Sequence, residues 1–283
     1  MKSVKFLSLA LALFAMIISS SCNKDGGTNY DTTAASDDAI VEGESNKVVN
    51  AVNSVAENNG LGKLAGSAGA EQDSMFSPCA TITIDTTSSE RIITIDFGPV
   101  PCQCTNWDNK FRQGKITATW SGIYSEEGTI ITITTQDYYV GYSTATMNKH
   151  DYVKTITNEG LNANGNLHFS VVISNAVVTL YTGQTITWQS TRDREWVEGS
   201  STIVPFDDVY FITGGGSGID RNGNPFSATI TNALKVEACP WIVSGSIEIT
   251  HDNVGTKILD YGDGDCDDKA TVTVNGHTYT ITL

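Results

Sequence analysis

The chain has 283 residues, with 32 acidic side chains against 17 lysines and arginines and a formal net charge of −15. That sign disfavours nucleic acid or an anionic lipid surface as a partner, because polyanions are bound through basic side chains that displace their counterions. Threonine and isoleucine alternate through much of the sequence, with 26 glycines and only 6 prolines, a mixture that suits twisted antiparallel strands joined by many turns.

The N-terminus carries Lys2 and Lys5 and then the apolar run Phe6 to Ile18, the charged start and short hydrophobic stretch of a secretion signal. A bilayer span takes about 20 apolar residues. Here Ser19-Ser20-Ser21 closes the run early and sets small residues against Cys22. This order resembles a bacterial lipobox, which implies residues 1–21 as the leader and Cys22 as the lipidated first residue of the mature chain. Ser19 departs from the usual box, where leucine is the rule. Several acyl chains make a lasting anchor, since each buried methylene contributes about 0.8 kcal/mol and one chain alone binds only marginally. Loss of Lys2 and Lys5 takes the formal charge from −15 to −17. Asn23 rather than aspartate follows Cys22, so the expected address is the outer membrane, at its periplasmic face or the cell surface, with the lipid as the only membrane attachment.

Residues 22–43 are polar and acidic without apolar periodicity and read as a flexible tether. Within 44–78, Val48, Val52 and Val55 recur at helical spacing behind Ser45 as an N-cap, and Asn58-Asn59-Gly60 supplies a stop. One short helix and a connector are predicted there. Beyond Cys79 the period changes to two, as in Ile116, Ala118, Trp120, then Leu167, Phe169, Val171, Ile173, and later Val272, Val274. Asn164-Gly165, Asn222-Gly223 and Asn275-Gly276 fit tight hairpin turns between such runs. The predicted fold is all-β, a single antiparallel meander over 79–283. A sheet of about a dozen strands cannot stay flat, and must curl as a half-barrel, close, or fold into a two-layer sandwich.

Exported cysteines default to disulfides. Cys79 and Cys102 flank the apparent hairpin of Thr81 to Asp85 with Ile92 to Phe97 and are expected to pair, with Cys104 as the rival partner; Cys239 with Cys266 is the expected second bridge.

Several segments in order, Ile93 to Gly98, Arg112 to Ile116, Asn162 to Asn166, Ile186 to Arg192 and Leu259 to Gly276, resemble a family of lipoproteins of Bacteroidetes. The likeness spans nearly all of the mature domain. It implies the exported, lipid-anchored address and brings no established activity or active site.

Asp263, Asp265 and Asp267, preceded by Asp260, place carboxylates at alternate loop positions that could converge on Ca2+. Val274 stands where an EF-hand loop carries its closing glutamate, and an acidic hairpin turn explains the same letters. Gly214 to Gly218 follows a strand-like run but precedes a turn, so a bulged or glycine-kinked strand is expected rather than a phosphate cradle. His150, His168, His251 and His277 form no close-spaced motif. Trp188, Trp196 and Tyr138-Tyr139-Tyr142 could be sugar platforms or core. Arg192-Asp193-Arg194-Glu195 is expected to pair across strands, and Glu126-Glu127 and Asp207-Asp208 read as adjacent strand carboxylates on opposite faces.

No catalytic motif or cofactor site emerges. The function expected is a non-catalytic lipoprotein that binds an envelope protein, glycan or lipid; a lipid carrier with an apolar groove and a glycan-acting hydrolase are the alternatives. In cells fed labelled palmitate, the intact chain should carry label and partition into detergent, and Cys22→Ala should lose both properties. Label retained by Cys22→Ala would place the acyl chains elsewhere.

Overall fold

A 26-residue helix lies buried against a single broad antiparallel sheet. In this computed structural model the described residues are 30–58, 76, 78–87, 90–202, 205–251 and 255–283, and residues 31–283 form one unit. The leader, Cys22 and the connector up to residue 75 lie outside the described residues. Among the described residues no helix is long and apolar enough to cross a membrane.

Helix α1 spans Thr33–Asn58. Strands β1 (Thr81–Asp85), β2 (Arg91–Asp96), β3 (Cys102–Gln103), β4 (Phe111–Trp120), β5 (Ile130–Gly141), β6 (Asn148–Leu161) and β7 (Leu167–Thr179) follow it. Next come β8 (Thr185–Glu198), a 3-10 turn (Pro205–Asp207), β9 (Val209–Ile219), β10 (Pro225–Val236), β11 (Ser244–His251), β12 (Gly255–Asp263), β13 (Lys269–Val274) and β14 (His277–Thr282). Each strand pairs antiparallel with its sequence neighbour, except that β2 pairs with β4 and the short β3 adds to β4 beside it. The meander is not closed by a ladder between β1 and β14. It curls enough that Lys110 Nζ, just before β4, donates to Leu283 O at 3.1 Å and the Tyr142 hydroxyl, just past β5, donates to the same oxygen.

The predicted helix keeps its C-terminal stop at Asn58, but its start moves. Asp31 Oδ1 caps it by accepting the Thr33 amide at 2.9 Å, so residues 33–43 are helix rather than tether and Ser45 is an interior residue. The reason is tertiary. Asp37, Asp38, Glu42 and Glu44, which give the segment its solvated look in the sequence, are buried against the concave face of the sheet. The helix is thus enclosed by the β domain instead of preceding it.

Period-two burial fixes what the sheet turns inward. Along β8, Ile186, Trp188, Ser190, Arg192, Arg194 and Trp196 are buried while Gln189, Thr191 and Asp193 are exposed. Asn275 and Gly276, with φ of 50° and 79°, form the two-residue turn joining β13 to β14. The glycine run lies within β9 and serves close packing. A Cβ on Gly218 would sit 2.2 Å from Thr187 O, and one on Gly214 2.4 Å from Thr191 O.

Both expected cysteine pairs are at bonding distance, Cys79 with Cys102 (Cα–Cα 5.4 Å) and Cys239 with Cys266 (5.9 Å), and Cys104 is left as a buried thiol. The first ties the segment before β1 to β3, and the second ties the end of β10 to the turn after β12. Each closes a loop worth about 3 kcal/mol of unfolded-chain entropy in the simplest account.

A side chain forced between backbones at β9 should be felt in stability. Gly218→Ala is expected to lower the unfolding free energy by about 2 kcal/mol in urea titrations, and Gly215→Ala, whose Cβ would meet only Ala228 O at 3.2 Å, by less than about 1 kcal/mol. Equal effects would mean that the β8–β9 packing is looser than described.

Candidate functional site

The polar interior of the protein is organised around α1. Its acids face cations carried by strands and turns far away in sequence. Asp37 accepts from the Arg221 amide at 2.7 Å and from Arg221 Nε at 2.6 Å. Glu42 accepts from Arg192 Nη2 at 2.8 Å and from Asn46 Nδ2 at 3.0 Å. Glu44 accepts from the Tyr138 hydroxyl at 2.6 Å and lies 3.6 Å from Arg112. Arg112 in turn grips Asp108 through two bonds of 2.6 and 2.7 Å, stacks on Trp107 at 3.9 Å, and shares Asp108 with Lys47 of α1 at 3.2 Å. Unpaired, any one of these charges would be strongly destabilising at this depth.

The electrostatics follow from burial and pairing. Burial works to raise the Glu42 carboxyl, but Arg192 and Lys154 outweigh it and hold it below its ordinary value. Asp108 is held well below its ordinary value by Arg112 and Lys47 in the same way, against burial. Asp38 goes the other way. Burial and the neighbouring Glu42 push it up to about 7, and among the described residues its hydrogen-bond partner is Trp188 Nε1 at 3.2 Å. Lys154, whose Nζ donates to Ser45 O at 2.7 Å, is pushed down to about 7 by burial and by Arg194 and Arg192. His150 is pushed down to about 4, chiefly by burial, and is neutral at pH 7.

Two clefts flank the helix. The first, about 290 Å³, lies beside its C-terminal half and is lined by Lys47, Asn50, Asn53, Ser54 and Glu57 of α1, Asn106 and Trp107, Arg194, Phe206, Asp208 and Tyr210, and the segment Val236 to Pro240. Its walls are held in place. Trp196 Nε1 donates to Asp208 Oδ1 at 3.1 Å, Arg194 donates to Asn50 Oδ1 at 3.1 Å, and the Arg194 guanidinium lies 3.9 Å from the Tyr210 ring. Phe76 packs edge-on against Trp107 with centroids 5.3 Å apart. Trp107 is half-buried, and Phe206 is 72% exposed at the mouth. The second cleft, about 270 Å³, lies near the end of β14 and is lined by Glu44, Lys110, Tyr142, His150, Tyr181, Trp241 and Tyr261 among others. Burial and the nearby Lys47 push Lys110 down to about 8 there.

Several expected site residues fall elsewhere. Asp263, Asp265 and Asp267 are exposed around the turn between β12 and β13, where Asp267 Oδ1 accepts the Lys269 amide at 2.9 Å and the Asp267 amide donates to Asp265 O at 3.1 Å. They do not converge on a Ca2+ site: among the described residues no three His, Cys, Asp or Glu side chains are placed to hold a metal. The alternate spacing that suggested ligands belongs to a hairpin turn. Trp188, Trp196 and Tyr138 are core. Arg192 and Arg194 point inward to α1 instead of pairing across strands, while Asp193 faces out to His168 at 2.8 Å and Glu195 accepts from Asn164 and Asn166. Glu126-Glu127 and Asp207-Asp208 lie in turns, not on strands.

No protein-family model, curated protein or solved structure matches the chain. The clefts themselves therefore carry the functional argument.

Asp38 gives a pH signature. Its carboxyl binds a proton more tightly folded than unfolded, so between about pH 4 and 7 the unfolded chain holds fewer protons and Asp38 lowers stability as pH rises. His150 works oppositely between about pH 4 and 6.5. Subtracting wild type from Asp38→Asn isolates the first effect: the variant should gain relative stability steadily from pH 4 to 7, up to about 4 kcal/mol, and level off above. A flat difference across that range in urea titrations would show Asp38 ionised in the fold.

Proposed function

We propose that the chain is an outer-membrane or surface lipoprotein, tethered through Cys22, that binds a small polyhydroxylated ligand such as a glycan end without transforming it. The observation that carries this reading is the first cleft, whose lining combines the exposed Phe206 ring and the half-buried Trp107 ring with the amides Asn50 and Asn53 and the carboxylate Asp208. A sugar ring has the same split character, with apolar C–H faces for aromatic rings and hydroxyls for amides and carboxylates at its edge. A cleft of about 290 Å³ is at the small end of the range for ligand sites. That size suits one or two sugar rings rather than an extended chain.

The geometry also favours this reading over a lipid carrier. A carrier needs an open apolar groove, and here α1 with its ion pairs fills the concave face.

Tryptophan fluorescence and calorimetry with monosaccharides, disaccharides and cell-wall fragments test the proposal. A saturable response is expected, weakened at least about tenfold by Trp107→Ala and by Phe206→Ala, a loss of about 1.4 kcal/mol or more each. Phe206→Ala should leave the melting temperature unchanged, because the ring is exposed. The reading fails if no saccharide binds, if both variants bind like wild type, or if an acyl lipid co-purifies stoichiometrically. Release of new reducing ends would make the protein a hydrolase.

A further inference from the structure

A third, much smaller cavity lies between α1, β6 and β8. Glu42, Ser45 and Asn46 of the helix, Lys154 of β6, and Ser190, Arg192 and Arg194 of β8 enclose about 10 Å³, room for one water-sized sphere. Its polar walls are deep in the protein: Glu42, Lys154, Ser190, Arg192 and Arg194 are each 5% exposed or less.

Among the described residues, the side-chain atoms around this cavity that have no partner at all are nearly all donors. Glu42 has both oxygens engaged, one by Arg192 Nη2 and one by Asn46. Lys154 is engaged by Ser45 O, and Arg194 Nη2 by Asn50. Among the described residues, Arg192 Nε and Nη1, Arg194 Nε and Ser190 Oγ have no hydrogen-bond partner. Every one of these can donate, and only the serine can also accept. A water must place two hydrogens of its own as well as accept, and apart from Ser190 Oγ only the remaining lone pairs of Glu42 would receive one. An anion accepts from all of the unpartnered donors.

Charge points the same way. Arg192 and Arg194 line the cavity together with Lys154, whose ammonium is itself pushed down to about 7, against the carboxylate of Glu42, and an uncompensated positive charge at this depth is costly. The cavity is too small for sulfate or phosphate but matches a halide, which is close to water in size. We propose that this cavity binds a chloride-class monatomic anion between Ser190, Arg192 and Arg194. So bound, the anion would join the helix to the sheet and neutralise the arginine pair. The site shares Arg194 with the first cleft, whereas Ser190 and Arg192 do not line that cleft.

The test uses the full-length, detergent-solubilised protein at constant ionic strength, exchanging sodium gluconate for sodium chloride. The unfolding midpoint should climb with chloride and saturate, as expected for a ligand of the folded state alone. Crystals grown with bromide should show an anomalous peak between the Arg192 and Arg194 guanidinium groups and Ser190 Oγ. Ser190→Ala removes one donor without disturbing an ion pair, and should raise the chloride concentration for half-maximal effect about tenfold. Coincident melting curves in chloride and gluconate would overturn the assignment and leave a water there. So would a chloride effect with no bromide peak in this cavity, or one that Ser190→Ala does not change.

Discussion

An acidic helix cannot lie in a protein interior unless each charge on it meets a partner, and that constraint shapes the fold. Asp37, Asp38, Glu42 and Glu44 are all nearly inaccessible to solvent. Moving an isolated carboxylate so deep is prohibitive, and deleting one member of a buried pair costs about 3–5 kcal/mol. Arg221, Arg192, Arg112 and Tyr138 meet three of these acids directly. Asp38 accepts from the Trp188 indole, has no ion pair among the described residues, and is instead driven towards its neutral form.

Those partners come from β4, β5, β8 and the turn after β9, so they can reach one helix only if the sheet curls around it. The curl has local means as well as a charge pattern to satisfy. Glycines in β9 let its backbone approach β8, and register shifts interrupt the ladders from β4 through β12. Two disulfides tie loops at the margins of the sheet. Wrapping a helix with an unclosed sheet leaves gaps where strand ends and loops do not follow its surface, and the two clefts lined by α1 lie there. Phe206 is exposed at the mouth of one of them.

What depended on neighbours in sequence was legible from the letters. The β1–β2 hairpin, the Asn-Gly turns, the two cysteine pairs and the meander all follow from short-range patterns, and the structure has them. The start of α1 was not, because acids such as Asp38 and Glu42 look solvated until their partners about 150 residues away are known. A signal for those partners did exist. Arg112 shares strand parity with Ile116 and Trp120, Lys154 with Ile156, and Arg192 and Arg194 with Trp188 and Trp196, so period-two reading places cations on the core face. The aspartates near Asp265 misled for the converse reason, since dense charge on a turn needs only water. The first cleft draws on α1, three strands and three loops, a juxtaposition that no local pattern encodes.

Amide hydrogen exchange across residues 33–58 tests the central claim most directly, that α1 is an internal element of the β domain along its whole length. Deep burial predicts that amides from Ala35 to Ala56 exchange as slowly as those of β7 and β8 and open only with global unfolding. Fast exchange over residues 33–43 with a protected sheet would contradict it, and would return that segment to the role of a tether.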